Sequence, residues 1–564
     1  MIDLILSFKS NNPDLFLTYL KLFFSLIFFI FFYNFINFLK ISKLHFSKSF
    51  FILIIIFIIS IDIFFTGNNN AYNWLSNYEI PLIKFDLDNE YLKNDFYINS
   101  QYDTLKFIFA RFINLLNIFQ IRLDFLYFTF QILVIYLSPI LSFLILTNFG
   151  KNSKFYLYEN TSLSISLSFI FSLGYLTYLQ KDTGFDSFSA WNFFNPLSLS
   201  NLLCLYLFYS IQKNGYLKIF NYFLLGFATL IHPVTGIFFF ILIYILLNKY
   251  EIFSIKNLFL INLDKLLLSL SLIVPIFFIF FLYENNSYLS DLDHINIYIY
   301  FRHPHHYLIS SFFSYHTIFW TILILFFVFI FYIKNNRKAY LLSIYLSIII
   351  IGCISIHFIF SEIYLNKIIS SKISPIRFFS YVLFIYIILV NILFDNKSNQ
   401  YFFKTNKKKS LITICIFILL VSFSSFNEKE ILHRIPDASE LIQFIKNKNE
   451  INYIYSDYES EWILSYARSY SGKAVYVDNL YIFNDKKVEE WYLKYQNGNK
   501  IRNLNNTLNV NKFICSLNDL GIDSYIMSVE KGDVKDNFEN KDVFFKNQSY
   551  KILDIKKIAI KRNC

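Results

Sequence analysis

Residues 395–440 read DNKSNQYFFKTNKKK (395–409), SLITICIFILLVSFSSF (410–426) and NEKEILHRIPDASE (427–440). Three kinds of chain meet here: a basic loop, an apolar run, and a tail in which no such run recurs. A helix needs about 20 mainly apolar residues to cross a hydrocarbon core, with a lower limit near 17. The run at 410–426 stands at that limit. Working back from it, further runs lie at about 16–38, 49–65, 123–147, 161–178, 192–211, 217–231, 234–248, 266–283, 315–333, 340–360 and 376–394. The reading is an α-helical polytopic membrane protein of about 12 spans over 1–426, followed by a small soluble α/β domain over 427–564. The pair around 217–248 is the shortest, with His232-Pro233 between its halves. The stretch 105–120 carries Lys106 and Arg111 and reads as an amphipathic helix lying in the interface.

Charge placement supports the layout. The loops 39–49, 148–160, 212–218, 249–265, 334–339 and 395–409 hold 18 Lys or Arg in 69 residues. The alternate loops, 66–104, 179–190, 232–233, 285–312 and 361–375, hold 6 in 96. Basic residues stay on the cytoplasmic side, so the parity places both termini and the tail outside, in a bacterial inner (plasma) membrane. The first 38 residues show no small-residue cleavage site and read as a retained span. The formal charge of +11 is then mostly a topology signal. The tail has 21 basic and 20 acidic residues, which argues against nucleic-acid binding. Charged residues make up 16% of the chain, below the usual quarter. The 72 Phe and 43 Tyr accompany abundant Ile, Asn and Lys, the mark of an AT-rich genome rather than of an aromatic site. Cys515 and Cys564 both lie in the tail, where an oxidising compartment would let them pair.

The chemistry-bearing residues concentrate in the outside loops at 66–104 and 285–312. The first has six carboxylates, Glu79, Asp86, Asp88, Glu90, Asp95 and Asp103, opposed by Lys84 and Lys93. One of them could serve as a general base, and two or three could hold a divalent cation; a merely solvated acidic loop is the alternative. Asp95, in Lys93-Asn94-Asp95-Phe96, is the leading candidate. In the second loop, Phe301-Arg302-His303-Pro304-His305-His306-Tyr307 suits an anion, with Arg as a bidentate fork and His as a switchable donor. A zinc site and a structural cap are the competing readings. His232-Pro233-Val234-Thr235-Gly236 reads either as a broken helix whose termini bind an ion or as a tight turn with proline opening the next helix. Arg377 either reaches a lipid-linked phosphate or snorkels to headgroups. Asp182 and Asp186 are weaker candidates.

In the tail, Asp437 and Glu440 read as a capping box for a helix ending near 447. Strands are expected at 452–455, 474–478 and 524–528, helices near 459–470, from 486 and at 510–520, and a hairpin over 543–545 and 550–553. This alternation predicts a largely parallel sheet. The tail has no phosphate-binding glycine loop, catalytic triad or metal signature; Arg468 and Asp478 could face the membrane domain, and the default reading of the tail is a substrate-positioning or partner-binding module.

The order of these features, Asn94-Asp95-Phe96 before an amphipathic helix, His232-Pro233 at a break, Arg302-His303-Pro304-His305-His306 in a late loop, Arg377 near a late span, and Ser469–Asp478 with Glu490-Trp491-Tyr492 in the tail, resembles bacterial multi-spanning proteins similar in architecture to the GT-C glycosyltransferase superfamily. That resemblance implies a GT-C-like fold and an inverting transfer from a polyprenyl-phosphate-linked sugar donor to an envelope glycan, lipid or protein at the outer face. Asp95 would be the base, with Asp86 and Asp88 as local competitors. Arg302, His305, His306, Arg377 and His232 would hold the donor phosphate. Mg²⁺ or Mn²⁺ is compatible but not required. The superfamily's paired acidic residues usually stand close to the first span, whereas Asp86-Leu87-Asp88 lies about twenty residues beyond it. Two other functions fit the same sequence: a transporter or flippase for a lipid-linked envelope intermediate, and a non-catalytic envelope assembly protein whose tail, 427–564, recruits a partner.

Overall fold

The computed structural model describes residues 76–101, 105–116, 123–149, 196–214, 218–247, 263–283, 337–359, 435–478, 485–506, 510–529 and 540–564, with short pieces at 56, 296–297, 301, 322, 325–326, 328–333, 389 and 538. The chain divides into two compact units. The first takes Met1–Asn68, Tyr127–Ile276 and His303–Lys429; the second takes Asn69–Leu126, Phe277–Arg302 and Glu430–Cys564. The tail segment therefore shares its unit with two earlier stretches of chain.

In chain order the helices are α1 (Ser76–Leu87), α2 (Phe96–Gln101), α3 (Leu105–Leu116), α4 (Leu123–Phe149), α5 (Pro196–Asn214), α6 (Ile219–Ile231), α7 (Pro233–Leu247), α8 (Leu263–Tyr283), α9 (Arg337–Phe358), α10 (Ile435–Asn447), α11 (Glu461–Tyr466), α12 (Asp485–Asn506), α13 (Val510–Asp519) and α14 (Ile555–Lys561). The strands are β1 (Tyr453–Ser456), β2 (Ala474–Val475), β3 (Ser524–Ser528), β4 (Val543–Lys546) and β5 (Tyr550–Asp554).

The expectation of a GT-C-like bundle of about 12 spans with a small separate α/β domain is corrected here. Among the described residues no helix is long and apolar enough to cross a membrane. They form helices together with a small mixed sheet. At 217–248 the reason is plain: the apolar pair becomes α6 and α7, of 13 and 15 residues, each short of the about 20 that a span needs. The helix over 192–211 becomes α5, which buries Ser198, Ser200, Asn201 and Ser210. The runs at 16–38, 161–178 and 410–426, and most of those at 49–65, 315–333 and 376–394, lie outside the described residues. The stretch expected to lie in an interface is α3. It buries Phe107, Phe109, Ala110 and Ile113 and packs against α1, with Phe107 edge-on to Phe85 at 6.3 Å and Asn114 Nδ2 donating to the Ile83 carbonyl at 3.1 Å.

The sheet has the order β2-β1-β3-β5-β4. β1 pairs in parallel with β2 and β3, while β5 is antiparallel to both β3 and β4. The expected largely parallel sheet is thus mixed, because the last two strands form a hairpin. Two aspartates fasten the parallel pair at its ends. Asp523 Oδ2 accepts from the Asn452 and Tyr453 amides at 3.0 and 3.2 Å. Asp457, just after β1, accepts from the Ser460 and Ser528 amides, both at 2.8 Å. Tyr455 and Tyr525 stand side by side in the core, 6.0 Å apart, and both are fully buried.

Helix α12 crosses close to Tyr455. A Cβ built on Gly498 would lie 2.1 Å from the Tyr455 hydroxyl, so a residue without a side chain is required there. Asp437 does not cap α10 as expected: the helix already begins at Ile435. Its carboxylate instead accepts from Ser549 Oγ at 2.5 Å, tying α10 to the β4–β5 turn. Cys515 and Cys564 form a disulfide.

Candidate functional site

Asp95 sits in the turn joining α1 to α2. The turn closes through Leu92 in the left-handed region, φ 57°, whose carbonyl accepts from the Asp95 amide at 2.8 Å. Asp95 then caps α2: its Oδ1 accepts from the Ile98 amide at 3.1 Å, as a residue preceding a helix does for orphan N–H groups. The other oxygen, Oδ2, accepts from Arg468 Nε at 2.8 Å and from the Val475 amide at 2.9 Å. Arg468 Nη1 donates to Asp478 Oδ2 at 2.7 Å. One guanidinium thus bridges two carboxylates, one of them 373 residues away in sequence. Asp95 is 0% exposed and Arg468 is 1%.

Local structure explains why Arg468 is available. After α11 the chain continues as a single π-helical turn, Ala467–Ser471, which ends on Gly472 at φ +69°. That turn presents its backbone carbonyls to the α1–α2 segment. Lys84 Nζ donates to the Ser469 carbonyl at 2.8 Å, and the Tyr91 hydroxyl donates to the Arg468 carbonyl at 3.1 Å. The Tyr97 ring covers the guanidinium, 4.9 Å from its centroid. A side chain on Gly472 would meet Tyr91 at 3.2 Å. Behind Asp478, Trp491 Nε1 of α12 donates to its carbonyl at 3.1 Å.

Electrostatically the cluster is closed on itself. Burial pushes the Asp95 carboxyl above the usual carboxylate range, while Arg468 and the Val475 amide pull it back. Both carboxylate partners hold Arg468 firmly protonated against its own desolvation. A general base must come within hydrogen-bond reach of the proton it takes. Asp95 has no exposed surface through which an outside hydroxyl could approach, and both its oxygens are engaged. What the arrangement does is join the α1–α2 segment to the sheet.

The other residues singled out in the sequence are placed as follows. Asp86 is partly buried, accepts from Asn114 Nδ2 at 2.5 Å and lies 3.8 Å from Arg111. Asp88 is exposed and accepts from the Glu90 amide at 3.0 Å; Glu90 pairs with Lys93. His232 follows α6 and its Nδ1 lies 2.8 Å from Thr235 Oγ1 in the first turn of α7, the arrangement of a turn with Pro233 opening the next helix. Arg302, His305, His306, Arg377, Asp182 and Asp186 lie outside the described residues. Phe301 is described, and it packs on α12, 5.0 Å from Tyr492 and 6.4 Å from Trp491. Phe96 meets the same helix, with Lys494 Nζ 5.2 Å above its ring. Phe96 and Phe301 therefore both touch α12. Among the described residues no group of three His, Cys, Asp or Glu could hold a metal ion.

A further cluster escaped sequence reading. Arg502 of α12 is 2% exposed. It donates from Nε to the Ser456 carbonyl at 2.8 Å and from Nη1 to Glu461 at 3.3 Å. Its guanidinium stacks between the rings of Tyr455 and Tyr458, at 4.6 and 4.8 Å. No sequence signal marks Arg502, since apart from Asn499 on its own helix its partners come from β1, α11 and the loop between them.

No protein-family model matches the chain, and no curated protein matches it.

Proposed function

We propose that the chain is a non-catalytic assembly protein of the bacterial cell envelope, whose second unit docks an envelope partner outside the cytoplasm. The observation that carries this reading is the sequestration of Asp95: the leading candidate for a base is spent on holding two distant segments together. The Cys515–Cys564 disulfide supports an extracytoplasmic compartment, because such bonds persist where the surroundings are oxidising. The near balance of acidic and basic residues in the tail speaks against a nucleic-acid partner.

A second reading keeps one observation in its favour. Phe96 and Phe301 both pack on one helix, α12. That proximity would suit a transferase taking sugar from a polyprenyl-phosphate-linked donor, with the less buried Asp86 or Asp88 as base and Arg302, His305 and His306 on the phosphate. The transporter or flippase reading gains no comparable support.

Complementation separates the two. Cells lacking the chain would receive wild type, Asp86→Ala/Asp88→Ala or Asp95→Asn, with envelope glycan and protein level measured together. The assembly reading expects full function from the Asp86/Asp88 variant, and loss in Asp95→Asn only in proportion to lost folded protein. Loss of one glycan at unchanged protein level, in either variant, would favour the transferase.

A further inference from the structure

In the first unit, helices α5, α6 and α7 pack as a group. Ser200 of α5 donates to the Ala228 carbonyl near the end of α6 at 2.9 Å. Gly236 of α7 lies so close to α6 that a Cβ there would fall 2.4 Å from the Thr229 Cα. At the other end of α6, Ser210 Oγ accepts from Asn214 Nδ2 at 3.4 Å and from Asn221 Nδ2 at 3.1 Å. The last turn of α5 is thereby held against the first turn of α6. Helix α8 flanks α6 as well, since a Cβ on Gly226 would lie 3.4 Å from the Ser271 carbonyl oxygen and 3.7 Å from Pro275 Cγ.

One face of α6 is buried, through Tyr222, Leu225 and Ala228. The opposite face is uncovered where the helix starts: beside exposed Ile219, Phe220 is 67% and Phe223 73% exposed. On α8, Leu266, Leu270 and Ile273 stand at i, i+4 and i+7 and are exposed together. Every exposed side chain of α6, and of α8 between Leu266 and Val274, is apolar. Contiguous apolar surface left in the open marks a place that meets a partner or a membrane. A protein partner brings about one hydrogen bond per 100–200 Å² of interface, and the exposed side chains here have no donor or acceptor to make one. Lipid hydrocarbon asks for none. The border of this surface is basic. Lys213 and Lys218, on either side of the α5–α6 turn, are both exposed, and α5 and α6 contain no Asp or Glu. Basic residues beside protruding apolar ones complement an anionic phospholipid surface, whose headgroups attract the ammonium groups while the rings enter the acyl region.

We propose that the α5–α6 turn docks on an anionic phospholipid bilayer, with Lys213 and Lys218 at the headgroups and Phe220 and Phe223 among the acyl chains. The outer face of α8 adds to the same apolar surface. Contact through a face requires no helix that crosses the bilayer. The proposal concerns the first unit alone and does not depend on the reading above.

Photocrosslinking from one position tests it. The full-length chain, with p-benzoylphenylalanine in place of Phe223, would be combined with vesicles of phosphatidylcholine alone or of phosphatidylcholine containing phosphatidylglycerol, irradiated, and its adducts identified by mass. Only an adduct at position 223 counts, so that attachment through another segment is not scored. A phospholipid adduct is expected at 223. Its yield should be higher by at least about fivefold with phosphatidylglycerol, the contribution of roughly one lysine near an anionic surface. Lys213→Gln/Lys218→Gln should lose that excess. Absence of a lipid adduct at 223 overturns the proposal, as does a chain-to-chain adduct in its place, which would make the face a contact between copies. A yield equal in the two vesicles and unmoved by the lysine variant overturns it too.

Discussion

The α1–α2 joint of the second unit and the α5–α7 group of the first solve one problem, burying polar atoms, in opposite ways. At the joint the buried groups are charged. Asp95, Arg468 and Asp478 satisfy one another through bonds of 2.7–2.8 Å, and a backbone amide and a helix cap complete the set. In α5–α7 the buried groups are neutral, and the helices approach closely through Gly236 against Thr229. Ion pairs taken out of water recover little net stability, because desolvation offsets their attraction, but losing one partner is severe. Neutral hydroxyls and amides cost less to bury and permit tighter packing. The charged joint thus fixes which segments meet, whereas the neutral group fixes how closely helices approach.

The largest effect should come from breaking the joint. Asp95→Ala leaves Arg468 with one carboxylate and removes the α2 cap, so the second unit should lose about 3–5 kcal/mol. Hydrogen exchange resolved by segment should show the loss in 76–101 and 453–478, with α5–α7 unchanged. Next comes the disulfide. Reducing Cys515–Cys564, which spans a sequence separation of 49, should lower the stability of the second unit by about 2–4 kcal/mol, seen as a lower unfolding midpoint in reductant.

Overpacking should sharpen the contrast between units. Gly236→Ala should destabilise α5–α7, and Gly498→Ala the sheet unit, each by about 1–3 kcal/mol. Adding Tyr455→Phe should return part of the loss to Gly498→Ala, since it removes the nearest clashing atom, and should do nothing for Gly236→Ala.

The smallest effect is in pH. A carboxyl raised in the folded state binds its proton more readily there than in the unfolded chain. Asp95 therefore withdraws stability as pH rises from its ordinary value of 3.8 through its folded value. Measured by denaturant unfolding across pH, Asp95→Asn should lack that decline. Its stability relative to wild type should improve toward neutral pH.

Much of the tail was legible because its signals are local. Ser524-Tyr525-Ile526-Met527-Ser528 forms β3 over the expected residues, and the expected hairpin is β4–β5. Helix α14 was missed because it follows β5 without a loop. Its one signal was Asp554, whose side chain accepts from the Lys557 amide at 3.0 Å, a cap that the strand pattern hid. At 217–248 each apolar run yields a helix of only 13 or 15 residues, and hydrophobicity alone does not distinguish such a helix from a span. For the site, the sequence marked Asp95 as unusual within its loop without revealing why. Its special status comes from Arg468 and Val475, whose proximity depends on a fold that brings together segments more than 370 residues apart. For Arg468 and Asp478 the sequence suggests a membrane domain as the facing surface; that they instead meet Asp95 within their own unit is a fact of tertiary structure.

As a joint, Asp95 should be energetically coupled to Arg468, and a double-mutant cycle between Asp95→Asn and Arg468→Met measures that coupling. Unfolding free energies should show a coupling of at least about 1.5 kcal/mol, with exchange protection of 76–101 lost in each single variant. A coupling below about 0.5 kcal/mol, with 76–101 as protected in Asp95→Asn as in wild type, would mean that Asp95 does not hold these segments together.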